Sequence, residues 1–385
     1  FKAVISRSRN VADTMSKGVQ FLFKKNNIEI IKGFGKIKTA KIVEVLDETG
    51  NKTEISAERI ILATGARTRE LPNLKQDGKK IIGYREALTL QENPESMLVV
   101  GSGAIGSELA YFYNSMGTQV TLIELLPNVL PIEDEDVSKQ IERSFKKAGM
   151  KVMLESLVEQ VNIEGDICKV VVKTKKGIEN IEAEVVFSAV GIAANIEGIG
   201  LEEVGIKIEK GKVAVDEFYK TNVESIYAIG DIVHGPALAH VASAEAIICV
   251  EKIAGLNPEP LDYGNIPGCT YTTPEVASVG MTEKQAKEKG YEIKVGKFSF
   301  TASGKATSAG NRDGFIKVIF DAKTDKWLGA HFVGANVTEI IAEAVVARRK
   351  GLTAHDIIRA VHPHPTMSEA VMEAVAAAYG EAIHI

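Results

Sequence analysis

The C-terminal segment His362–Glu369 places a histidine, a carboxylate and two prolines within a short stretch of chain. Pro363 and Pro365 restrict the backbone on both sides of His364, so the imidazole is presented from a rigid turn. Glu369 lies close enough in sequence to accept the Nδ1 proton of His364, which would leave Nε2 as a base. A base of this kind needs a proton donor, and a thiol is one candidate. The segment therefore indicates one half of an acid–base active site.

The same segment also has a purely structural interpretation. Thr366-Met-Ser-Glu369 fits the S/T-x-x-E capping box, in which the glutamate stabilises the first turn of the Ala-rich helix that follows. In that case His364 has no chemical role. The residues of this segment alone leave both interpretations open.

The cysteines do not supply an obvious partner for the histidine. Cys168, Cys249 and Cys269 are far apart in sequence and form no C-x-x-C pair. Dispersed cysteines argue against a secreted disulfide framework and are typical of a reducing compartment. We therefore expect a cytoplasmic protein, or one of the mitochondrial matrix if the source is eukaryotic.

Length and composition limit the classes of function. The chain has 385 residues, 45% of them hydrophobic and 25% charged, which suits a globular protein of two or three domains. Its net charge of −5, without a basic stripe, gives no reason to expect a nucleic-acid partner. No apolar run approaches the roughly 20 residues that span a bilayer, so we expect no membrane partner. We predict no metal site. The chain opens with Phe1, and we expect it to begin partway through a longer protein.

A glycine-rich loop carries the clearest chemical signal. Gly101-x-Gly103-x-x-Gly106 follows a predicted strand, opens a predicted helix and is answered by Glu124 at the end of the next strand. The first glycine permits a tight turn, the second allows a pyrophosphate to approach, and the third allows close helix packing. The helix N-terminus offers free N–H groups to the phosphates. Glu124 can accept hydrogen bonds from both ribose hydroxyls and would repel a 2′-phosphate, which favours NAD over NADP.

A second acidic residue ends another predicted strand. Asp231 follows Gly230 after an apolar run, where its carboxylate could bond a ligand hydroxyl at the carboxyl edge of a sheet. It could equally cap the segment that follows. The local residues do not decide between these two roles.

The periodicity of apolar residues predicts the elements around these motifs. The predicted strands are Ile28–Ile31, Ala40–Leu46, Glu58–Leu62, Met97–Gly101, Gln119–Glu124, Lys151–Leu154, Lys169–Lys173, Glu184–Ser188, Val223–Asp231, Phe315–Phe320 and Trp327–Val333. The predicted helices cover about 3–23, 107–116, 137–148, 237–254, 337–349 and 368–379. Alternating strands and helices in the second region predict a parallel sheet with crossover helices. Strands followed by helices at the C-terminus predict an α+β domain.

Taken in order, these motifs resemble the pyridine nucleotide–disulfide oxidoreductases. The resemblance rests on Ala63-Thr64-Gly65, Gly101-Ser-Gly-Ala-Ile-Gly-Ser-Glu108, Ala189-Val-Gly191, Ala228-Ile-Gly-Asp231, Leu238-Ala-His240, Thr273-Pro-Glu-Val-Ala277 and His364-Pro-Thr-Met-Ser-Glu369. It runs essentially from Phe1 to the end. It implies an α/β fold class: two dinucleotide-binding Rossmann-like domains, the FAD one incomplete, and a C-terminal α+β dimerisation domain. The implied domains are 1–70 with 196–262 for FAD, 71–195 for NAD and 263–385 for dimerisation.

The resemblance also assigns roles to residues. For the NAD site it implies Gly101, Gly103, Gly106, Glu108, Glu124, Gly191 and Ala277. For the FAD site it implies Thr64, Gly65, Asp231, Leu238, Ala239 and His240, with the last three near the isoalloxazine. It implies a homodimer in which His364, held by Glu369, is catalytic and acts on the active site of the other subunit.

The members that this chain resembles most oxidise dihydrolipoamide. The implied reaction uses FAD and NAD, with lipoyl domains of a 2-oxo acid dehydrogenase complex or a glycine cleavage system as partners. Other disulfide reductases, a soluble transhydrogenase and a non-catalytic NAD-binding structural subunit are the alternatives. Glutathione reductase types use NADPH and carry basic residues where Glu124 stands, and mercuric reductases lack this histidine motif.

The chain departs from the family pattern in one respect. Family members begin with a glycine-rich loop for FAD and then a C-x4-C redox disulfide, and neither is present in these residues. We expect both to belong to a segment that precedes Phe1.

Overall fold

The computed structural model describes residues 1–384. The chain forms two compact units, each built from separated stretches of sequence. Unit 1 comprises Phe1, Glu70–Gly191 and the described residues of Gly264–Ile385. Unit 2 comprises Lys2–Arg69 and Ile192–Tyr263. The three-domain division expected from the sequence stays a prediction.

The strands of residues 1–384 are short for the most part and are numbered in chain order. They are β1 Phe34–Thr39, β2 Ile42–Leu46, β3 Lys52–Ser56, β4 Ile60–Leu62, β5 Ala66–Thr68, β6 Ile81–Ile82, β7 Ser96–Val100, β8 Gln119–Ile123, β9 Lys151–Met153, β10 Leu157–Glu164, β11 Ile167–Thr174, β12 Gly177–Ala183, β13 Val185–Ser188, β14 Ile192–Ala194, β15 Ile208–Glu209, β16 Lys212–Val213, β17 Ile226–Ala228, β18 Pro267–Thr270, β19 Glu275–Gly280, β20 Ile293–Ser299, β21 Phe315–Asp321 and β22 Trp327–Gly334.

The helices of the same residues are numbered in the same way. They are α1 Lys2–Lys25, α2 Tyr84–Ala87, α3 Ala104–Ser115, α4 Glu135–Lys147, α5 Ala239–Ile253, α6 Glu283–Glu288, α7 Gly304–Ser308, α8 Val337–Lys350, α9 Ala354–Arg359 and α10 Glu369–Ala378. None of these helices in residues 1–384 is long and apolar enough to cross a bilayer.

Unit 1 contains the parallel sheet that the sequence predicts. Its strand order is β6-β13-β7-β8-β9, and every pairing within it is parallel. The chain runs β7–α3–β8–α4–β9 to one side of β7, whereas β13 lies on its other side. The direction of strand addition therefore reverses at β7. Ligands of such sheets bind at the carboxyl ends of the strands beside this reversal.

Two antiparallel sheets complete unit 1. A three-stranded sheet, β10-β11-β12, contains the predicted strand Lys169–Lys173, so the expectation that this strand continues the parallel alternation is wrong. Hairpin connections explain the difference, because short turns can join only antiparallel neighbours. The C-terminal sheet has the order β18-β19-β22-β21-β20, and α8 and α10 pack against it. Strands covered by helices match the predicted α+β domain.

Unit 2 holds an antiparallel sheet, β1-β2-β3, and a parallel pair, β4 with β17. A hairpin turn joins β2 to β3, and its Asp47 carboxylate accepts backbone hydrogen bonds from Thr49 and Asn51. The predicted strand Ile28–Ile31 is wrong, because this stretch lies outside the assigned strands and helices. Its three isoleucines stay about half exposed, with Ile28 at 53%, Ile30 at 51% and Ile31 at 48%.

Candidate active site

The structure brings together the histidine and the carboxylate of the C-terminal turn. His364 Nδ1 lies 2.9 Å from Glu369 Oε1. The His364 side chain is 79% exposed, and Nε2 makes no hydrogen bond with the described residues. A hydrogen bond from Nδ1–H to the carboxylate fixes the tautomer, so the lone pair on Nε2 faces solvent. This is the geometry of a general base that can take a proton from a substrate.

Glu369 performs two tasks with its two oxygens. While Oε1 faces His364, Oε2 accepts the backbone N–H of Thr366 at 2.8 Å. The helix α10 begins at Glu369 itself, and the Thr366 hydroxyl donates to Pro363 O instead of capping the helix. The full capping box is therefore not formed. Burial works to raise the pKa of Glu369, but the hydrogen bonds from Thr366 and His364 outweigh it and lower the pKa.

A second histidine, His362, stabilises the turn that carries His364. His362 is buried, with its side chain 7% exposed, and its ring contacts two acceptors. Nδ1 lies 2.9 Å from Ala360 O, and Nε2 lies 2.9 Å from Glu343 Oε1 on α8. A carbonyl oxygen can only accept, so Nδ1 carries a proton, and a second proton on Nε2 completes the pair with the carboxylate. The hydrogen bond that His362 donates to Glu343 raises the pKa of His362 despite its burial.

His362 should therefore stabilise the protein in a pH-dependent way. Its pKa is higher in the folded state than its ordinary value near 6.5, so its contribution is complete below that value and is lost as pH rises through the folded pKa. We expect H362Q to lower the free energy of unfolding by about 1 kcal/mol near pH 6, and by less near pH 9. Urea titration followed by the fluorescence of Trp327, the single tryptophan, measures this.

H355Q is the control for this measurement. His355 pairs with Glu381 at 3.0 Å but is 43% exposed, so its loss should change stability by about 0.5 kcal/mol at most. An effect of H362Q that stays constant between the two pH values would contradict a charged His362.

The glycine loop is as closely packed as its sequence predicts. A Cβ on Gly101 would lie 2.5 Å from Ala189 O, just after β13, and Gly101 has a φ of +99°. A Cβ on Gly106 would lie 1.9 Å from Gly101 O. Gly103, by contrast, has nothing within 4 Å of a Cβ position. Gly101 and Gly106 thus fold the loop tightly against β13 and α3, while Gly103 leaves open space at the N-terminus of α3 for a phosphate.

Replacing Gly106 should therefore strongly weaken the binding of NAD⁺ at this loop. A methyl group on residue 106 cannot coexist with the carbonyl oxygen of Gly101, so in G106A either the loop or α3 must move. We expect the affinity for NAD⁺ to fall by at least about 100-fold, which corresponds to about 2.8 kcal/mol of binding free energy. Isothermal titration calorimetry measures the loss. G304A is the control, because Gly304 lies in the same unit, a Cβ there meets nothing within 4 Å and its φ is not positive. Unchanged NAD⁺ binding by G106A would contradict the packing argument.

Glu124 lies beside the loop and is 7% exposed. Its Oε2 accepts hydrogen bonds from the backbone N–H and the hydroxyl of Ser102, both at 2.8 Å. Its Oε1 accepts the N–H of Leu126 at 2.8 Å. Glu124, which the sequence predicts to bind a ribose, therefore lies at the carboxyl end of β8, directly against the glycine loop.

The other residues predicted for the NAD site have different surroundings. Gly191 follows β13 and is exposed, at the same sheet edge as the glycine loop. Glu108 on α3 is half-buried, where burial raises its pKa, and it accepts the N–H of Tyr271 at 2.9 Å. Ala277 is fully buried in the core of the C-terminal sheet. Within residues 1–384 no contact places Ala277 at the loop, so its role in NAD binding stays a prediction.

Within unit 2, Asp231 lies at the carboxyl end of β17, in the 3₁₀ turn Gly230–Ile232. The turn is held on both sides, because Gly230 N–H donates to Glu245 at 2.6 Å and Lys212 Nζ donates to Asp231 O at 2.7 Å. Among residues 1–384 the Asp231 carboxylate accepts no hydrogen bond and caps no helix. Of the two predicted roles, the geometry favours presentation of the carboxylate to a ligand hydroxyl.

The remaining residues predicted for FAD flank this turn or the parallel strand beside it. Thr64 and Gly65 follow β4, where Thr64 Oγ1 donates to Asn195 O at 2.6 Å and Asn195 N–H donates to Gly65 O at 2.9 Å. Leu238 is the N-cap of α5, and the exposed residues Ala239 and His240 form its first turn. Thr64 and Gly65 thus lie at the carboxyl end of β4, and Asp231 lies at the carboxyl end of its parallel neighbour β17.

Comparison with known proteins agrees with this geometry. A family model described as pyridine nucleotide-disulphide oxidoreductase matches residues 2–246, and the dimerisation domain of the same family matches residues 266–375. The chain belongs to the pyridine nucleotide-disulphide oxidoreductases. The resemblance inferred from the motifs and the predicted fold class are both confirmed. As a member with a dimerisation domain, the chain forms a homodimer.

Similar members of the family are known from several organisms. The chain is 45% identical to a dihydrolipoyl dehydrogenase of Rhizobium etli, with all of this chain and 83% of that protein covered. It is 39% identical to a mitochondrial dihydrolipoyl dehydrogenase of Pisum sativum, with 100% and 77% covered. The crystal structure of LpdA from Mycobacterium tuberculosis superposes with a TM-score of 0.90 at 26% identity, covering 97% of this chain and 82% of that one.

The residues present fit the cofactors of this family in part. Close packing at Gly101 and open space at Gly103 suit a dinucleotide pyrophosphate, and the unpartnered Asp231 carboxylate suits a hydroxyl of FAD. The redox disulfide is not among the cysteines of this chain, since Cys168, Cys249 and Cys269 are all free.

Sequence reasoning missed the residues that hold the site residues in place. They are Ser102 at Glu124, Glu245 at Gly230, and the pair His362 and Glu343 at the turn that carries His364. The position of Ser102 between Gly101 and Gly103 could have indicated from sequence that it lies at the site. The two glutamates gave none, because their partners are distant in sequence.

Proposed function

We propose that this protein catalyses the flavin-dependent oxidation of protein-bound dihydrolipoamide to lipoamide, with reduction of NAD to NADH. The observation that carries the proposal is the His364–Glu369 pair, whose Nε2 is free and exposed while Nδ1 is held at 2.9 Å from the carboxylate. Unit 1, which contains this pair, also contains the glycine loop and its acidic partner, Glu124. The proposal agrees with the dihydrolipoyl dehydrogenases that the chain resembles at 39–46% identity.

The side chains of the turn supply the acid–base part of this reaction. His364 Nε2 takes the proton from a thiol of dihydrolipoamide, which leaves a thiolate as nucleophile. Glu369 stabilises the imidazolium that forms, because its carboxylate already faces Nδ1 and its pKa is low. FAD and NAD, when bound, supply the transfer of electrons and hydride. In the homodimer, His364 would act on the flavin and disulfide of the other subunit.

The residues at the two strand edges hold the cofactors in this proposal. Gly101, Gly103 and Gly106 receive the pyrophosphate of NAD, Glu124 receives its adenosine ribose, and Gly191 lies at the same edge. Glu108 and Ala277 complete the proposed NAD site. Asp231 binds FAD through a hydroxyl or phosphate group. Thr64, Gly65, Leu238, Ala239 and His240 are its proposed neighbours at the flavin.

The proposed partners and location follow from the substrate. Lipoyl domains of a 2-oxo acid dehydrogenase complex or a glycine cleavage system would deliver the dithiol to His364. Three free cysteines suit a reducing compartment, the cytoplasm or the mitochondrial matrix. The soluble transhydrogenase alternative is less well supported, because a buried carboxylate at Glu124 opposes the 2′-phosphate of NADPH.

Assay of the full-length gene product with dihydrolipoamide and NAD⁺ tests the proposal. We expect NADH formation that depends on dihydrolipoamide and is several orders of magnitude faster than with NADP⁺. Exchange of hydride between NADH and an NADP⁺ analogue without dihydrolipoamide would instead indicate a transhydrogenase. Bound flavin without either activity would indicate a non-catalytic NAD-binding subunit.

A further inference from the structure

The carboxylate of Glu124 is held more firmly than ribose recognition alone requires. Three donors point at it: the N–H and hydroxyl of Ser102 on Oε2, and the N–H of Leu126 on Oε1, each at 2.8 Å. A carboxylate has about four acceptor positions, so roughly one stays open for a ligand. The expectation that Glu124 accepts from both ribose hydroxyls therefore requires them to share that position or to displace one of these donors.

Ser102 is the residue that connects the carboxylate to the glycine loop. It is fully buried, its hydroxyl donates to Glu124, and its carbonyl oxygen accepts the hydroxyl of Ser107 at 2.9 Å. The neighbouring Gly101 N–H donates to Ile123 O at 2.8 Å. The loop and the end of β8 are thus joined by backbone bonds and by a side-chain bond, and the Ser102 hydroxyl is the side-chain donor among the three groups that restrain the carboxylate.

We propose that the Ser102 hydroxyl is a specificity-determining positioning group, which fixes the Glu124 carboxylate so that it accepts a ribose diol and excludes a 2′-phosphate. The inference rests on the proposed use of NAD. A carboxylate that is free to rotate can turn away from an approaching phosphate, which reduces the repulsion. A carboxylate held by three donors resists this rotation more strongly than one held by two, so the Ser102 hydroxyl helps to keep the charge where the 2′-phosphate would lie.

The contacts separate this role from simple stabilisation of the loop. Ser107 is also fully buried, and its hydroxyl also makes a hydrogen bond within the loop, but it donates to a backbone carbonyl and does not touch Glu124. Removal of either hydroxyl takes one donor from an acceptor that keeps others, because Ser102 O also accepts the N–H of Leu130 at 3.1 Å and Glu124 keeps its two N–H donors. Only the loss of the Ser102 hydroxyl takes a donor from the carboxylate, which then keeps two of its three restraints, the N–H groups of Ser102 and Leu126. S107A is therefore a matched control for S102A.

The test measures the affinities of the protein and its variants for NAD⁺ and NADP⁺ by isothermal titration calorimetry. For S102A we expect the Kd for NAD⁺ to rise about 5- to 10-fold, equivalent to one charge-assisted hydrogen bond that no longer orients its acceptor. The Kd for NADP⁺ should change by less than about twofold, so the ratio of the Kd for NADP⁺ to the Kd for NAD⁺ falls at least about 2.5-fold. For S107A both constants should rise by the same small factor, which leaves the ratio unchanged.

Titration with ADP-ribose and its 2′-phosphate assigns the effect to the adenosine half, because neither compound carries the nicotinamide. The same change in ratio is expected for this pair. If S102A and S107A alter both constants by equal factors, Ser102 only stabilises the loop and the inference is overturned, while NAD use stands. If the unsubstituted protein binds NADP⁺ as tightly as NAD⁺, the proposed function fails and the inference fails with it.

Discussion

Replacement of His364 by glutamine is expected to lower kcat for dihydrolipoamide oxidation by about 10²- to 10⁴-fold, the usual contribution of a positioned general base. Glutamine keeps much of the size and polarity of histidine but cannot take a proton at Nε2. The side chain is 79% exposed, so its loss should leave the fold intact. Steady-state assay of the full-length gene product, with the free energy of unfolding measured in parallel, separates catalysis from stability.

H355Q is the matched control, because His355 is another exposed histidine of the C-terminal region with a glutamate at 3.0 Å. We expect its kcat to stay within about twofold of the unsubstituted protein, since exposed pairs contribute little. Retention of full activity by H364Q would exclude His364 as the base, and the turn would then have only a structural role.

Much of the fold was predictable from the periodicity of apolar residues and from the positions of the glycine-rich turns. The glycine loop, with the strand before it and Glu124 after it, predicts β7, α3 and β8, and these elements are present. The errors share a physical cause, which is that pairing partners decide the fate of a strand. Ile28–Ile31 has a strand-like pattern but lies outside the assigned strands, and Lys169–Lys173 pairs with hairpin neighbours instead of the parallel sheet.

The candidate site divides in the same way. The contact between His364 and Glu369 was predictable, because a rigid turn brings together residues that are close in sequence. Ser102 could not be connected with Glu124 from sequence, because their contact depends on β7 and β8 being neighbours in a particular register. Spacing reveals local chemistry, whereas the groups that restrain a site residue come from elements that only tertiary structure brings together.

A buried lysine, Lys317, also depends on contacts with residues that only tertiary structure brings together. Lys317 on β21 is 4% exposed, and its ammonium contacts Asp134 at 2.8 Å, Glu283 at 2.8 Å and Asp136 at 3.1 Å. Burial opposes the charge, but the hydrogen bonds to these carboxylates prevail and raise the pKa of Lys317. The opposite residue on β22, His331, is fully buried and burial lowers its pKa. A neutral His331 adds no positive charge, so Lys317 alone compensates the buried Asp134.

K317M should therefore destabilise unit 1 by about 3–5 kcal/mol at neutral pH, because it leaves the buried carboxylate of Asp134 without a counter-charge. Urea unfolding followed by Trp327, which is buried on the neighbouring strand β22, measures the loss. K287M is the control: Lys287 pairs with the same Glu283 but is 60% exposed, so its loss should cost about 0.5 kcal/mol at most.

The pH dependence of K317M gives a second test of the same assignment. Burial works to raise the pKa values of Asp134 and Asp136, but hydrogen bonds from Lys317 outweigh it and lower them, while hydrogen bonds first from Lys287 and then from Lys317 lower the pKa of Glu283. The stabilising contribution of these carboxylates is complete above their unfolded pKa values near 4 and is lost as pH falls through the lower folded values. The difference between the unsubstituted protein and K317M should thus be largest near neutral pH and shrink below about pH 4, where the carboxylates become protonated. A difference that stays constant with pH would mean that K317M acts through lost packing alone, and the ionic account of this cluster would be wrong.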